Sequence, residues 1–285
     1  MTKVVEVSLA GGLGNRMFQY AYARAYAERH GFELHTPPSI LQRIFQINDP
    51  PATGDFGKFP LLMGTPFGVG DRDGEHTVTI CGMRQHQCEI TYTLRDAKRW
   101  FRLRPEMEEL VKDVPSMDLV ANTREGDYAY GCNPMILIDR RSYENCCDDF
   151  NLDKSKLYWL HGETHYQIPS IPIEKPWIAL SDHEAWRLGD SGRLDFLPDW
   201  ALLQRAKIVI RPNSTFSWWA IELSDHERVF SPNVKEIDPV SGVVGIHRYP
   251  QMVPFVDGNH MPMVWKNPAD NGNPYPFVSD LKLPP

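Results

Sequence analysis

The chain has 285 residues, with 37 acidic against 30 basic side chains for a net charge of −7, and 42% apolar residues. Those values are ordinary for a folded protein of one large or two medium domains and exclude an intrinsically disordered chain. The acidic balance argues against nucleic acid or a membrane surface as a general partner, and no apolar run approaches the roughly 20 residues of a membrane span.

The start of the chain lacks the long apolar segment of a signal peptide. The five cysteines (Cys81, Cys88, Cys132, Cys146 and Cys147) are odd in number and match no metal-ligand spacing. A cytoplasmic location with reduced thiols is the expectation.

In chain order, Val4 to Leu9 reads as a compact β-branched strand. Ala10-Gly11-Gly12-Leu13-Gly14-Asn15 breaks it, and a helix follows from Arg16, with Phe18, Ala21, Tyr22, Ala25 and Arg29 on one face and Gly31 at the C-cap position. Strand, glycine turn and helix make half of a doubly wound unit. The turn is neither the dinucleotide fingerprint, which needs a third glycine, nor a P-loop, which needs Lys-Ser/Thr. A purely structural turn and a ligand-binding one fit the spacing equally.

From Pro37 to Glu75 prolines and glycines are dense, which predicts long loops with little regular structure. Asp71-Arg72-Asp73 there has the form of a metal-binding pair but the setting of a solvated turn. Thr77 to Cys81 is a strand candidate, Leu94 to Leu103 a surface helix closed by Pro105, and Glu106 to Val111 a short helix. A domain boundary near Pro115-Ser116 precedes the strand Leu119 to Thr123, which runs into the charged turn Arg124-Glu125-Gly126-Asp127-Tyr128. An arginine at a strand's carboxyl end can hold a phosphate bidentately, and can equally form a surface ion pair.

Trp177 to Leu180 reads as a further strand, Phe196 to Ala206 as a helix with Asp199 near its start, and Lys207 to Ile210 as a buried parallel strand. Arg211-Pro212 bounds that strand. Next comes Asn213-Ser214-Thr215-Phe216-Ser217-Trp218-Trp219, where Ser214 or Thr215 can cap a helix running through Leu223. Backbone N–H groups and small hydroxyls at a helix N-terminus suit a phosphate, while an ordinary capped turn over two core tryptophans explains the same residues. Asn213-Ser214-Thr215 is formally a glycosylation sequon, irrelevant in a cytosolic chain. Val229 to Pro232 is the last strand expected. Three regions follow: residues 1–115, residues 116–249, and a proline-rich tail over 250–285 packing on the surface or back across the domains.

Three stretches in this order resemble the α-1,2-fucosyltransferase family. Gly11-Gly12-Leu13-Gly14-Asn15-Arg16-Met17-Phe18-Gln19-Tyr20 departs from its first signature only at Arg16, and Asn213 to Trp219 matches the late one completely. Weaker echoes are Gly82-Met83-Arg84-Gln85 and Ser181-Asp182-His183-Glu184-Ala185-Trp186. The resemblance covers residues 4 to about 235. It implies an α/β, GT-B-like architecture, with two doubly wound, Rossmann-like domains facing a cleft. It also implies an inverting, metal-independent transfer of L-fucose from GDP-fucose to a glycan acceptor, a galactose-type 2-OH, with GDP-fucose as donor substrate and no cofactor.

By that resemblance the first domain faces the acceptor and the second holds the nucleotide. Arg124 binds the diphosphate and stabilises the leaving group. Asn213, Ser214 and Thr215 complete the phosphate site, and Asp199 accepts from guanine. Gly12, Gly14 and Asn15 line the cleft near the sugar. Asp127 and Glu125 are the candidates for the general base, with Asp127 preferred. The central motif departs from the family pattern: its histidine is Asn122 here, and its second arginine is Glu125. Strand alternation sends Arg124 and Glu125 to opposite sides, so Asn122 is the departure that falls among the donor-site residues. The alternatives are a transferase for another sugar nucleotide and a weakly active sugar-nucleotide or glycan binder.

Overall fold

In the computed structural model, residues 3–53, 69–71, 77–80, 82, 85, 87–124, 138, 140–162, 194, 196–232 and 252–254 are described. They fall into two compact units that part between Arg104 and Pro105.

The first unit contains β1 (Val4–Val7), α1 (Leu13–His30), β2 (Glu33–His35), α2 (Ile40–Ile44), β3 (Val69–Asp71), β4 (Thr77–Ile80) and α3 (Gln87–Trp100). Its sheet has the order β2-β1-β4-β3, parallel except for the antiparallel edge strand β3. Val5 and Val7 are fully buried, as are Met17, Phe18, Ala21 and Ala25 on the covering helix α1. Gly31 ends α1 in the left-handed region (φ 67°), as its position in the sequence predicts, and its N–H bonds to the Ala27 carbonyl. Helices α1 and α3 are joined at the surface by an Arg99–Glu28 ion pair of 2.6 Å, and Trp100 Nε1 donates to the same carboxylate at 3.1 Å.

Within the proline-rich region two short elements form: α2, because Ser39 and Gln42 make a reciprocal capping box, and β3, which adds an edge strand. One local expectation changes here. Helix α3 starts at Gln87 and stops at Trp100, short of Leu103. Residues 101–104 are instead extended against the segment after α2, with a Phe45–Leu103 bridge and Arg104 N–H bonded to the Ile44 carbonyl. Those bonds tie residues up to Arg104 to the first unit. Pro105 does not close α3; it opens the next helix, where its missing N–H costs nothing.

The second unit contains α4 (Pro105–Val111), β5 (Leu119–Arg124), α5 (Arg140–Asp149), β6 (Leu157–Gly162), α6 (Leu197–Arg205), β7 (Ile208–Ile210), α7 (Thr215–Glu222), β8 (Arg228–Pro232) and β9 (Met252–Pro254). The sheet order is β6-β5-β7-β8-β9, parallel except for β9. The α/β class and the doubly wound character of each unit are therefore as expected. Residues 105–115 go with the second unit, because α4 packs against α6. The region after residue 250 opens with an edge strand, and 255–285 lie outside the described residues, as does the strand expected at 177–180. Among the described residues no helix is long and apolar enough to cross a membrane.

Candidate functional site

The chain leaves β5 for β6 on one side, then returns to place β7 and β8 on the other. Strand order therefore reverses between β5 and β7, and in open α/β sheets ligands bind at the carboxyl ends of the strands at such a point. Leu119, Val120 and Ala121 pair with Ile208, Val209 and Ile210. Beyond that register the two chains emerge side by side. Residues 122–124 come from β5 and residues 211–214 from β7, although 88 residues separate Asn122 from Ile210 (210 − 122).

On the β5 side, Asn122 and Thr123 are buried and Arg124 is half-buried at the strand's end. The Asn122 amide donates to the Leu160 carbonyl at 3.2 Å and, at 3.5 Å, to that of Thr123. Its amide N–H groups are thus directed to backbone carbonyls, with which a donor-site role for Asn122 would have to compete.

On the β7 side, Ser214 takes the N-cap position of α7 in extended geometry, but its side chain makes no capping bond. That differs from the expected capping role. The Ser214 N–H is turned back to the Pro212 carbonyl at 3.0 Å, and its own carbonyl receives the Trp218 N–H at 3.0 Å and Ser217 Oγ at 3.2 Å. The start of α7 thus has no side-chain capping bond from Ser214 and no acidic residue in its first turn, and its helix dipole favours negative charge there. Asn213, Ser214 and Thr215 are all buried at this turn. The helix is anchored from below by Trp218 and Trp219, fully buried and packed edge to face with ring centres 5.0 Å apart.

Asp199 stands in the first turn of α6, half-buried, on a helix that packs against α7. Phe216 of α7 meets Trp200 at 5.3 Å and Phe196 at 5.9 Å, which fixes the two helix starts relative to each other. Burial, and then the Asp199 charge, push the Tyr158 hydroxyl above its ordinary pKa. Asp127 and Glu125 lie outside the described residues.

Arg211 was passed over in the sequence as a strand boundary. It is 1% exposed, and its Nη1 donates to the Pro212 carbonyl at 3.1 Å. Burial pushes its pKa down to about 9, against the opposing pull of Glu222 on α7 and Tyr143 on α5. The available signal was an arginine directly continuing the apolar run Ile208-Val209-Ile210, where a solvated charge does not belong.

Gly12, Gly14 and Asn15 belong to the first unit, at the equivalent reversal between β1 and β4. Gly12 is the N-cap of α1, and Gly11 before it has φ 79°, which a side chain rarely adopts. A Cβ on Gly11 would fall 2.6 Å from Asn15 Nδ2. Asn15 Oδ1 accepts from Gln85 Nε2 at 2.9 Å, and Gln19 Oε1 accepts the Ala10 N–H at 2.8 Å, so this loop is held from both flanks.

No family model matches the chain, and no curated protein matches it. Among solved structures it is similar to NodZ α-1,6-fucosyltransferase soaked with GDP-fucose, at 14% identity and a TM-score of 0.48 over 90% of this chain and 100% of that one. NodZ α-1,6-fucosyltransferase co-crystallised with GDP and fucosyltransferase NodZ from Bradyrhizobium give the same identity and TM-score, each over 89% of this chain and 99% of the other. A likeness at that level assigns no activity to this chain.

Proposed function

We propose that the protein is an inverting glycosyltransferase that moves L-fucose from GDP-fucose to a sugar hydroxyl, the 2-OH of a galactose-type acceptor. The observation that carries this reading is the β5–β7 reversal. It brings Arg124 and the uncapped turn Asn213-Ser214-Thr215, two motifs far apart in sequence, to adjacent strand ends. In this reading the acceptor hydroxyl attacks the anomeric carbon, the carbon–oxygen bond to the diphosphate breaks, and GDP departs carrying the developing negative charge. Arg124 and the first N–H groups of α7 meet that charge. Asp199 accepts from N1–H and N2–H of guanine. Asp127 is proposed as the base that takes the acceptor's proton.

Calorimetric titration tests the nucleotide half of the proposal. The native protein is expected to bind GDP in preference to ADP and UDP, and Asp199→Ala to lose that preference, because adenine and uracil do not present the paired donors. An unpaired buried acceptor costs roughly 1–3 kcal/mol, more when charged, so the preference should fall by at least about fivefold. Equal loss for all three nucleotides would return Asp199 to a helix-dipole role. Following GDP release from GDP-fucose, with and without galactose-terminated glycans, tests the transfer itself: a binder shows a thermal shift without turnover.

Turnover is also expected to persist in excess EDTA and to gain little from magnesium or manganese. The positive end of α7 and the Arg124 guanidinium are proposed to do what a divalent ion does in other transferases. Loss of activity in EDTA that one metal restores would refute this part.

A further inference from the structure

We propose that Thr53 is a specificity-determining residue on the first unit, where its hydroxyl oxygen accepts a hydrogen bond from a hydroxyl of the sugar that receives fucose. The inference deepens the transfer reading and rests on it: with the nucleotide at the β5–β7 reversal, the equivalent reversal between β1 and β4 is left for that sugar. Register places Thr53 at the ligand-binding end of the first sheet. Glu6 pairs with His35, so the next residues, Val7 and Thr36, are level, and Val7 is the last residue of β1. Thr36 bridges to Pro51 in parallel, its N–H donating to the Pro50 carbonyl at 2.9 Å and its carbonyl accepting the Ala52 N–H at 3.1 Å. Two residues further in the same direction, Thr53 stands past the carboxyl end of the sheet and is exposed there. Gly12, also exposed at that end, has open space where a side chain would be, with nothing within 4 Å of an added Cβ.

Thr53 is held in place from the sheet. Its N–H and its hydroxyl both donate to Glu6 Oε1, at 2.8 and 3.0 Å, and Glu6 is a buried residue of β1. At the other end of the segment, Asp49 is ion-paired with Arg24 of α1, which also donates to the Tyr20 hydroxyl at 3.0 Å. A carboxylate accepts and cannot donate, so the single proton of the Thr53 hydroxyl is committed to Glu6. The lone pairs that remain on Oγ1 can only accept. Beside a carboxylate they suit a neutral hydroxyl and disfavour a phosphate or carboxylate group. Because the segment is already fixed, little ordering cost attends the binding of that hydroxyl.

Calorimetric titration with methyl β-galactoside and with its 3-, 4- and 6-deoxy forms, at saturating GDP, tests the assignment. The native protein is expected to bind one deoxy form roughly 2- to 10-fold more weakly than the parent, the net worth of one hydrogen bond. Thr53→Val should weaken the parent by the same factor and abolish that difference. Thr53→Ser should keep it, and GDP affinity should stay native in both. A purely structural Thr53 would instead weaken all the galactosides alike and leave the difference in place. That outcome, or native discrimination in Thr53→Val, overturns the proposal. So does a native protein that binds the parent and every deoxy form alike, or none of them, a result that needs no variant. Should Thr53→Val fail to fold, Thr53→Ala is held to the same expectation. A native protein that binds no GDP refutes the nucleotide reading and this inference with it, whereas one that binds GDP but gives an overturning result refutes this inference alone.

Discussion

Arg124→Lys is expected to lower kcat/KM by on the order of 10²–10³, although the charge is kept, and Arg124→Ala by at least as much. The residue closes β5 at the strand reversal and is half-buried there, with the sheet fixing its backbone through pairing with β6 as far as Gly162. A guanidinium is a planar fork that meets two phosphate oxygens at once, and the two bonds shorten as charge builds on the departing diphosphate. An ammonium on a flexible stem meets one oxygen and reorganises to do so. On the proposed reading the loss falls mainly on kcat, because the ground-state diphosphate would still meet the first N–H groups of α7. Steady-state kinetics with GDP-fucose at saturating acceptor give the split. Near-native kcat/KM in both variants would make Arg124 a surface residue and put the diphosphate elsewhere.

The features legible in the sequence are those in which one residue type answers one local demand. Gly31 reads as a C-cap because the left-handed backbone there favours glycine, and the strand at 208–210 reads as buried because three β-branched residues run together. Helix α5 escaped notice because half of its ten residues are charged, and only Ser142, Tyr143, Cys146 and Cys147 turn inward. Strand β6 has the right residues in Leu157 to Leu160, but nothing local says that it flanks β5. Parallel pairing is a non-local choice, and with it the position of the reversal.

The candidate site divides the same way. Arg124 and residues 213–215 could be singled out as polar groups at element ends. Their adjacency follows only from β7 lying beside β5. Arg211 was obscured by its position, since an arginine before a proline reads as the edge of a loop until its burial is known. The uncapped state of α7 was also beyond reach: Ser214 is a favoured capping residue, and only its geometry shows that the hydroxyl makes no capping bond.

Trp219→Ala is expected to destabilise the second unit by about 3–5 kcal/mol, the range for removing a fully buried large aromatic side chain. Trp219 has no exposed surface, and it packs edge to face on Trp218, itself fully buried. The two rings lie in the second turn of α7, so they set the height and tilt of the helix whose first turn forms the candidate phosphate site. Removing the indole takes away its transfer free energy and leaves a cavity that the rigid neighbours, Trp218 among them, only partly fill. For a domain of ordinary stability, about 5–15 kcal/mol, that is a large fraction of the total. The urea midpoint of the second unit should fall accordingly, while Phe216→Ala, a half-buried ring on the same helix, should cost less. If the first turn is the phosphate site, GDP at 100 times its Kd should restore about 2.7 kcal/mol to any variant that still binds it at native affinity. A loss below about 1 kcal/mol for Trp219→Ala would mean that α7 is not held by its tryptophans, and that the turn before it has no rigid foundation.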